Sequence, residues 1–257
     1  MTRQDEGWGK FSEWYAELLE QKDTYQKAVI LPNLSRLLSI KKGETILDLA
    51  CGPGFFAREF FKQGARVIGA DVSGELIKLA MKNSPKNINF QVAPADNMPF
   101  LKNQSVDKIV IIHAIQNIHN VSGVFKECAR VLKINGRMLI VMNHPAFRIP
   151  RASGWDWDPS TTLRTSEKGV MYRRIDRYLS ESKVKIQMRP GDKPNEYTLS
   201  FHRPLQFYFK ALNKNGFLIS RLEEWISHRK SEPGPRAIAE DRARKEIPLF
   251  LFIEAVH

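Results

Sequence analysis

Thr45-Ile-Leu-Asp-Leu-Ala-Cys-Gly-Pro-Gly-Phe-Phe-Ala-Arg-Glu59 decides the fold. Thr45 to Leu49 is an apolar run of the right length for one buried parallel strand. Gly52-Pro53-Gly54 breaks it sharply. From Phe55 onward the apolar residues recur at helical spacing, with Phe56, Phe60 and Phe61 available to one face. The order is strand, glycine turn, helix. Such a turn lets a ligand approach bare backbone and aims the unpaired N–H groups of the helix start at it.

Downstream, the same alternation repeats. Arg66–Asp71 reads as a second strand, leading through Val72-Ser73 into a helix over Gly74–Met81. Asn87–Val92 is a third strand, followed by the polar turn Ala93-Pro94-Ala95-Asp96-Asn97. Val106–Ile112 is a fourth, closed by His113-Ala-Ile-Gln-Asn-Ile-His119, with a helix over Val124–Leu132 and a turn at Asn135-Gly136. Arg137–Met142 is a fifth strand. Strands alternating with helices in this rhythm make a parallel, doubly wound sheet.

Upstream, Trp8, Phe11, Trp14, Tyr15, Leu18 and Leu19, then Ile30, Leu31, Leu34, Leu37 and Leu38, recur three and four residues apart. They predict amphipathic helices over residues 8–40, broken around Asp23-Thr24 and covering a sheet face. Tyr15 or Tyr25 can also line a ligand cleft there. Residues 147–200 lose the rhythm and are rich in Arg, Pro, Gly, Ser and Trp. Strands are expected at Met171–Tyr178 and Lys183–Met188, with a third around Tyr197–Phe201, in a lid or binding insertion. A helix then runs from Pro204 to Asn215, a sixth strand covers Phe217–Leu222, Glu232–Glu246 reads as a surface connection, and Ile247–Val256 is the last strand. The expectation is one domain over residues 1–257: helical cover 1–40, ligand-binding core 41–146, insertion 147–200 and the end of the sheet at 201–257.

The strand ends narrow the ligand. Gly52-Pro-Gly54-Phe-Phe-Ala57 fits G-x-G-x-x-A, which a dinucleotide site also uses. Asp48, however, lies four residues before Gly52, where it repels a pyrophosphate and attracts a cation. Asp71, about twenty residues past the turn, is spaced to accept from ribose hydroxyls. Asp96 at the third strand end can accept from an amino group. Taken singly, Asp71 and Asp96 are equally good helix or turn caps.

Together these residues resemble the class I S-adenosylmethionine-dependent methyltransferases, closely over Thr45–His144 and moderately over His202–His257. Ala50 departs from the family's glycine series at its first glycine. The resemblance implies a Rossmann-like α/β fold: a seven-stranded sheet with helices on both faces, ending in an antiparallel hairpin whose last strand inserts between the fifth and sixth. It implies S-adenosylmethionine as cofactor and S-adenosylhomocysteine as product. Asp48 and the backbone of Ala50, Cys51, Gly52, Pro53 and Gly54 would hold the methionine end. Asp71 would take the ribose, Val72, Ala95, Asp96 and Asn97 the adenine, and His113 and Ala114 would lie under the sulfonium.

Methyl transfer asks for proximity, alignment and a dry site, and for a base when the acceptor carries a proton. No Asn/Asp-Pro-Pro-Tyr run and no Pro-Cys pair follows the fourth strand, so the base-methylating enzymes of nucleic acids are not resembled. His202-Arg-Pro-Leu205 looks like an element of small-molecule methyltransferases. The expectation is therefore transfer to oxygen, nitrogen or carbon of a small molecule, with His144, His202 and Tyr172 as candidate bases or orienting groups. Phe147, Trp155, Trp157 and Tyr172 are candidates for an aromatic pocket wall. Arg148, Arg151, Arg173, Arg174 and Arg177 either bind an anionic acceptor or form a solvated face.

The net charge of +12 keeps open an RNA or protein methyltransferase that uses the basic insertion, and a non-catalytic cofactor-binding protein is the other alternative. Cys51 and Cys128 give neither a disulfide framework nor metal spacing. No apolar run reaches membrane-span length. The polar N-terminus is not a secretory signal, and a cytoplasmic setting is expected.

Overall fold

The computed structural model of the protein describes residues 8–160, 169–188 and 197–257. Its centre is a seven-stranded sheet built from β1 (Thr45–Leu49), β2 (Arg66–Asp71), β3 (Asn89–Val92), β4 (Val106–Ile112), β5 (Leu132–Asn143), β10 (Leu218–Trp225) and β11 (Phe250–Val256). In space the order is β10-β11-β5-β4-β1-β2-β3. The pairs β3–β2–β1–β4–β5 are all parallel, and β11 pairs antiparallel with both β5 and β10. The last strand thus inserts between the fifth and sixth strands of the sheet, as the resemblance implied.

Strand alternation builds two cores. Leu47, Ile109, Ile111, Met138 and Ile140 face α5 (Val121–Val131) and α6 (Leu205–Lys214), where Phe125 and Tyr208 are buried. Ile46, Val110, Leu139 and Val141 face the other side, against α2 (Leu31–Leu38), α3 (Phe55–Lys62) and α4 (Gly74–Lys82). Both faces of the parallel strands are covered, which is why they read as continuous apolar runs. Phe60 of α3 is fully buried, a burial that contributes roughly 2–3 kcal/mol.

The N-terminal cover begins with a short 3-10 turn and α1 (Ser12–Glu20). Thr24 restarts the chain: its Oγ1 accepts the Lys27 N–H at 3.3 Å, and a π-type turn, Gln26–Ile30, runs straight into α2. Pro32 sits in the first turn of α2, where a missing N–H does no harm.

Three expectations need correcting. The turn at Asn135-Gly136 lies inside β5, where the register against β4 shifts and Asn135 takes φ 62°. It is a bulge, so the strand begins at Leu132. A strand not foreseen, β6 (Ser153–Asp158), pairs antiparallel with β7 (Val170–Ile175). The hairpin β8 (Ser182–Gln187) with β9 (Tyr197–His202) completes the insertion as two separate ribbons. Glu232–Glu246 is not merely a connection: Ala237–Glu246 is a helix, α7, which buries only Ala239 and Ala243. So polar a helix leaves little apolar periodicity to read. Parts of the insertion, residues 161–168 and 189–196, lie outside the described residues.

Candidate functional site

β1 sits where the sheet reverses direction, with β2 on one side and β4 on the other. Ligands of open α/β sheets bind beyond the strand ends at such a point. The chain leaves β1 through three left-handed residues, Ala50 (φ 58°), Gly52 (φ 54°) and Gly54 (φ 77°). Glycine meets this conformation without cost, whereas Ala50 carries a strain of about 1–2 kcal/mol. Gly54 has a second reason to be bare. A Cβ there would stand 3.0 Å from Phe90 Cζ and 3.1 Å from Ala80. Gly54 also starts α3 with no side-chain cap of its own, and of the first N–H groups of that helix, which lack intrahelical partners, the Ala57 amide turns to Asp48.

The turn is tied to the next strand. Asp71, at the end of β2, accepts the Gly52 N–H through Oδ2 and the Ser73 N–H through Oδ1, each at 2.9 Å. Ser73 in turn caps α4, its hydroxyl accepting from Leu76 N. One carboxylate therefore fixes both the glycine turn and the entry to α4.

Asp48 is 2% exposed, and its Oδ2 is buried without a hydrogen-bond partner. Burial, and next the neighbouring Asp71, push its pKa up to about 7, against an opposing Ala57 amide. Tyr15 of α1 closes over the same pair of acids. Burial and then Asp71 and Asp48 push its phenol up to about 12, so it stays protonated. Trp8 packs on it with ring centroids 5.3 Å apart. At the end of β4, His113 takes φ 53° and lies against Phe250, centroids 4.8 Å apart. Its Nε2 is buried and unpartnered, and burial lowers its pKa to about 4. The imidazole is neutral at physiological pH and does not repel a cation.

These groups line one cavity of about 460 Å³. Of the residues expected to hold a cofactor, Asp48, Ala50, Cys51, Gly52, Pro53, Asp71, Val72, Ala95, Asp96, His113 and Ala114 line it; Gly54 and Asn97 do not. Asp96 accepts from Asn120 Nδ2 at 2.6 Å, while Asn120 Oδ1 caps α5 through Gly123 N. The remaining wall is apolar: Leu19, Phe55, Phe56, Leu76, Ile112 and Ile118. Sequence reasoning missed Trp8, Gln26, Asn117, His119 and Asn120 as lining residues. The only legible signal was that Trp8 and Gln26 belong to the helical cover, as Tyr15 does.

The three candidate bases do not reach this cavity. His144 is 3% exposed, with Nε2 donating to Glu224 Oε1 at 2.7 Å and Nδ1 accepting from Ala146 N at 3.2 Å. His202 donates through Nε2 to the Tyr178 carbonyl at 2.7 Å, and the Tyr178 hydroxyl accepts from Leu205 N, so this pair fastens β9 to α6. Tyr172 is 40% exposed on β7, opposite Asp156. Tyr25 also turns away, to Ser227 and Phe250. The aromatic side chains of the insertion form no common wall: Phe147 packs on His144, Trp155 on arginines, and Trp157 on Arg236. Among the described residues no group of His, Cys, Asp and Glu is arranged to hold a metal ion, and no helix is long and apolar enough to cross a membrane.

Residues 47–140 match the family model described as a methyltransferase domain. The chain is similar to a demethylmenaquinone methyltransferase of Thermobifida fusca, at 33% identity over 54% of this chain and 61% of that protein. It is also similar to a ubiquinone/menaquinone biosynthesis C-methyltransferase of Geotalea daltonii, at 38% identity over 37% of this chain and 44% of that protein. The chain therefore spans about half the length of the curated relatives it matches. Among solved structures it resembles an S-adenosylmethionine-dependent methyltransferase from Mesorhizobium loti, with TM-score 0.69 and 25% identity over 91% of this chain and 100% of that one.

Proposed function

With residues 47–140 a methyltransferase domain on the fold of a class I S-adenosylmethionine-dependent methyltransferase, we propose that the chain transfers a methyl group from S-adenosylmethionine to a small, ring-bearing acceptor. The observation that carries the reading is the buried, unpartnered Asp48 Oδ2 beside a bare glycine turn. An acid desolvated in this way is satisfied by a cation with hydrogen-bond donors, and the methionine ammonium is one. Asp71 can take a ribose, its orientation already set by Gly52 and Ser73. Val72, Ala95 and Asp96 would flank the adenine. When bound, the cofactor supplies an electrophilic methyl carbon on a sulfonium.

The chain's own contribution is placement and exclusion of water. Tyr15 and Trp8 roof the glycine turn, and Ile112, Ile118 and Phe55 give an apolar wall. His113, neutral and buried, lies at the end of β4 without opposing positive charge. Beyond the acids given above to the cofactor, the described lining carries two imidazoles, His113 and His119, so the acceptor atom would be nucleophilic already or lose its proton to one of these two. Ring-bearing acceptors are favoured by this aromatic and aliphatic lining and by the quinone-methylating names of the relatives. The ribbons β6–β7 and β8–β9 would cover the acceptor.

The test is release of S-adenosylhomocysteine from S-adenosylmethionine in the presence of a panel of phenolic and quinone-like molecules, with folded RNA as comparator. Turnover with a small molecule and none with RNA is expected. Turnover with RNA alone, falling steeply with salt, would transfer the reading to the basic surface instead.

A further inference from the structure

Arg148 and Arg173 converge on Trp155 outside the cavity. Their Cζ atoms lie 5.5 Å and 5.3 Å from the indole centroid. Arg148 sits in the turn after β5, its N–H bonded to the His144 carbonyl at 2.8 Å. Arg173 lies on β7 directly opposite Trp155 on β6. Both guanidiniums are partly buried: burial and then the charge of Arg173 lower the Arg148 pKa to about 10, and burial lowers that of Arg173. Arg148 nevertheless stays cationic at neutral pH.

No carboxylate serves either of them among the described residues. Arg148 Nε is buried with no acceptor. Arg173 spends Nε on the Phe147 carbonyl and one terminal nitrogen on Ser153 Oγ, both neutral. Glu224, which comes near through His144, is bonded to that ring. Two like charges gathered in a desolvated corner, with one stacking platform between them, oppose folding unless an anion joins them. The exposed Arg174, on the other face of the same strand, has no such arrangement.

The position suits an acceptor. Tyr25 bears electrostatically on Arg148 and packs edge-on against Phe250, centroids 5.5 Å apart. Phe250 touches His113, and Gln26, next to Tyr25, lines the cavity. Tyr25 and Phe250 thus stand between Arg148 and the strand end where transfer would occur. Two of the five Arg173 N–H groups are committed, and the free N–H pairs on the two guanidiniums match the two oxygens of a planar carboxylate.

We propose that Arg148, Arg173 and Trp155 form a carboxylate-binding subsite that orients the acceptor, a proposal that rests on the methyl-transfer reading above. The experiment is calorimetric titration of the full chain, saturated with S-adenosylhomocysteine, with benzoate and separately with inorganic phosphate. Benzoate should bind one-to-one. Arg148→Met and Arg173→Met should weaken it at least tenfold, Arg148→Lys should weaken it less than Arg148→Met, and Arg174→Met should leave it within twofold. Affinity for S-adenosylhomocysteine should hold in all four variants, which also shows that they fold. Failure of benzoate to bind, its undiminished binding to Arg148→Met, or tighter binding of phosphate than of benzoate would overturn the subsite. Failure of S-adenosylhomocysteine to bind the unaltered chain, with benzoate still bound, would instead overturn the methyl-transfer reading.

Discussion

The Asp71 carboxylate accepts the Gly52 amide at 2.9 Å, joining the end of β2 to the glycine turn that leaves β1. With its other oxygen on Ser73 N, the side chain is oriented before any ligand arrives. Preorganisation of this kind reduces the ordering a ligand must impose.

Replacing Asp71 should therefore be felt twice. Asp71→Ala is expected to weaken S-adenosylhomocysteine more than tenfold. It should also destabilise the chain by about 1–3 kcal/mol, because buried N–H groups lose their acceptor. Calorimetry and thermal melting report the two effects separately, and unchanged affinity would show that the ribose role is misassigned.

Asp48 gives a pH dependence whose sign is fixed by its raised pKa. Its folded value of about 7 lies above the ordinary 3.8, so between those pH values the folded chain binds the extra proton. Stability of the unliganded chain should fall as pH rises from about 4 to 7. Asp48→Asn should remove that fall and stabilise the unliganded chain at pH 8. A ligand that places a cation there needs the ionised acid, so affinity should rise from pH 5.5 to 7.5, with proton release on binding near pH 6. Calorimetry in buffers of differing ionisation enthalpy reads the proton, and its absence would remove Asp48 from the cation's surroundings.

The two left-handed non-identical positions should respond oppositely. Gly54→Ala meets both φ 77° and the Phe90 and Ala80 contacts, and is expected to cost about 1–3 kcal/mol. Ala50→Gly relieves strain at φ 58°, offset by unfolded-state entropy. It should be neutral or stabilising by up to about 1 kcal/mol. Chemical denaturation ranks the pair, and a destabilised Ala50→Gly would contradict the assignment of strain.

His144 should behave as a structural residue. His144→Ala is expected to destabilise by about 1–3 kcal/mol through the stranded Glu224 and Ala146 groups, while leaving S-adenosylhomocysteine affinity within twofold. A large loss of affinity without loss of stability would return it to the ligand site.

The cofactor half of the molecule was legible because local chemistry decides it. Thr45–Leu49, Gly52, Gly54, Asp48 and Asp71 announce strand, turn and acid within one or two turns of chain, and the observed β1, β2 and β4 have the expected bounds. The region from His144 to His202 was not, because its geometry depends on contacts distant in sequence. His144 reads equally as a base or as a structural side chain, because Glu224, which holds it, lies eighty residues on. Trp155 and Arg173 meet only because β6 pairs with β7, and although Trp155-Asp-Trp-Asp158 alternates with a strand's two-residue period, that period does not name β7 as its partner. Arg148 and Arg174 look alike in sequence; only burial separates them.

The most direct measurement is calorimetric titration of the chain with S-adenosylhomocysteine and, separately, with NAD. The account predicts one-to-one binding of S-adenosylhomocysteine, weakened more than tenfold by Asp71→Ala, and no binding of NAD. Binding of NAD without binding of S-adenosylhomocysteine would contradict it.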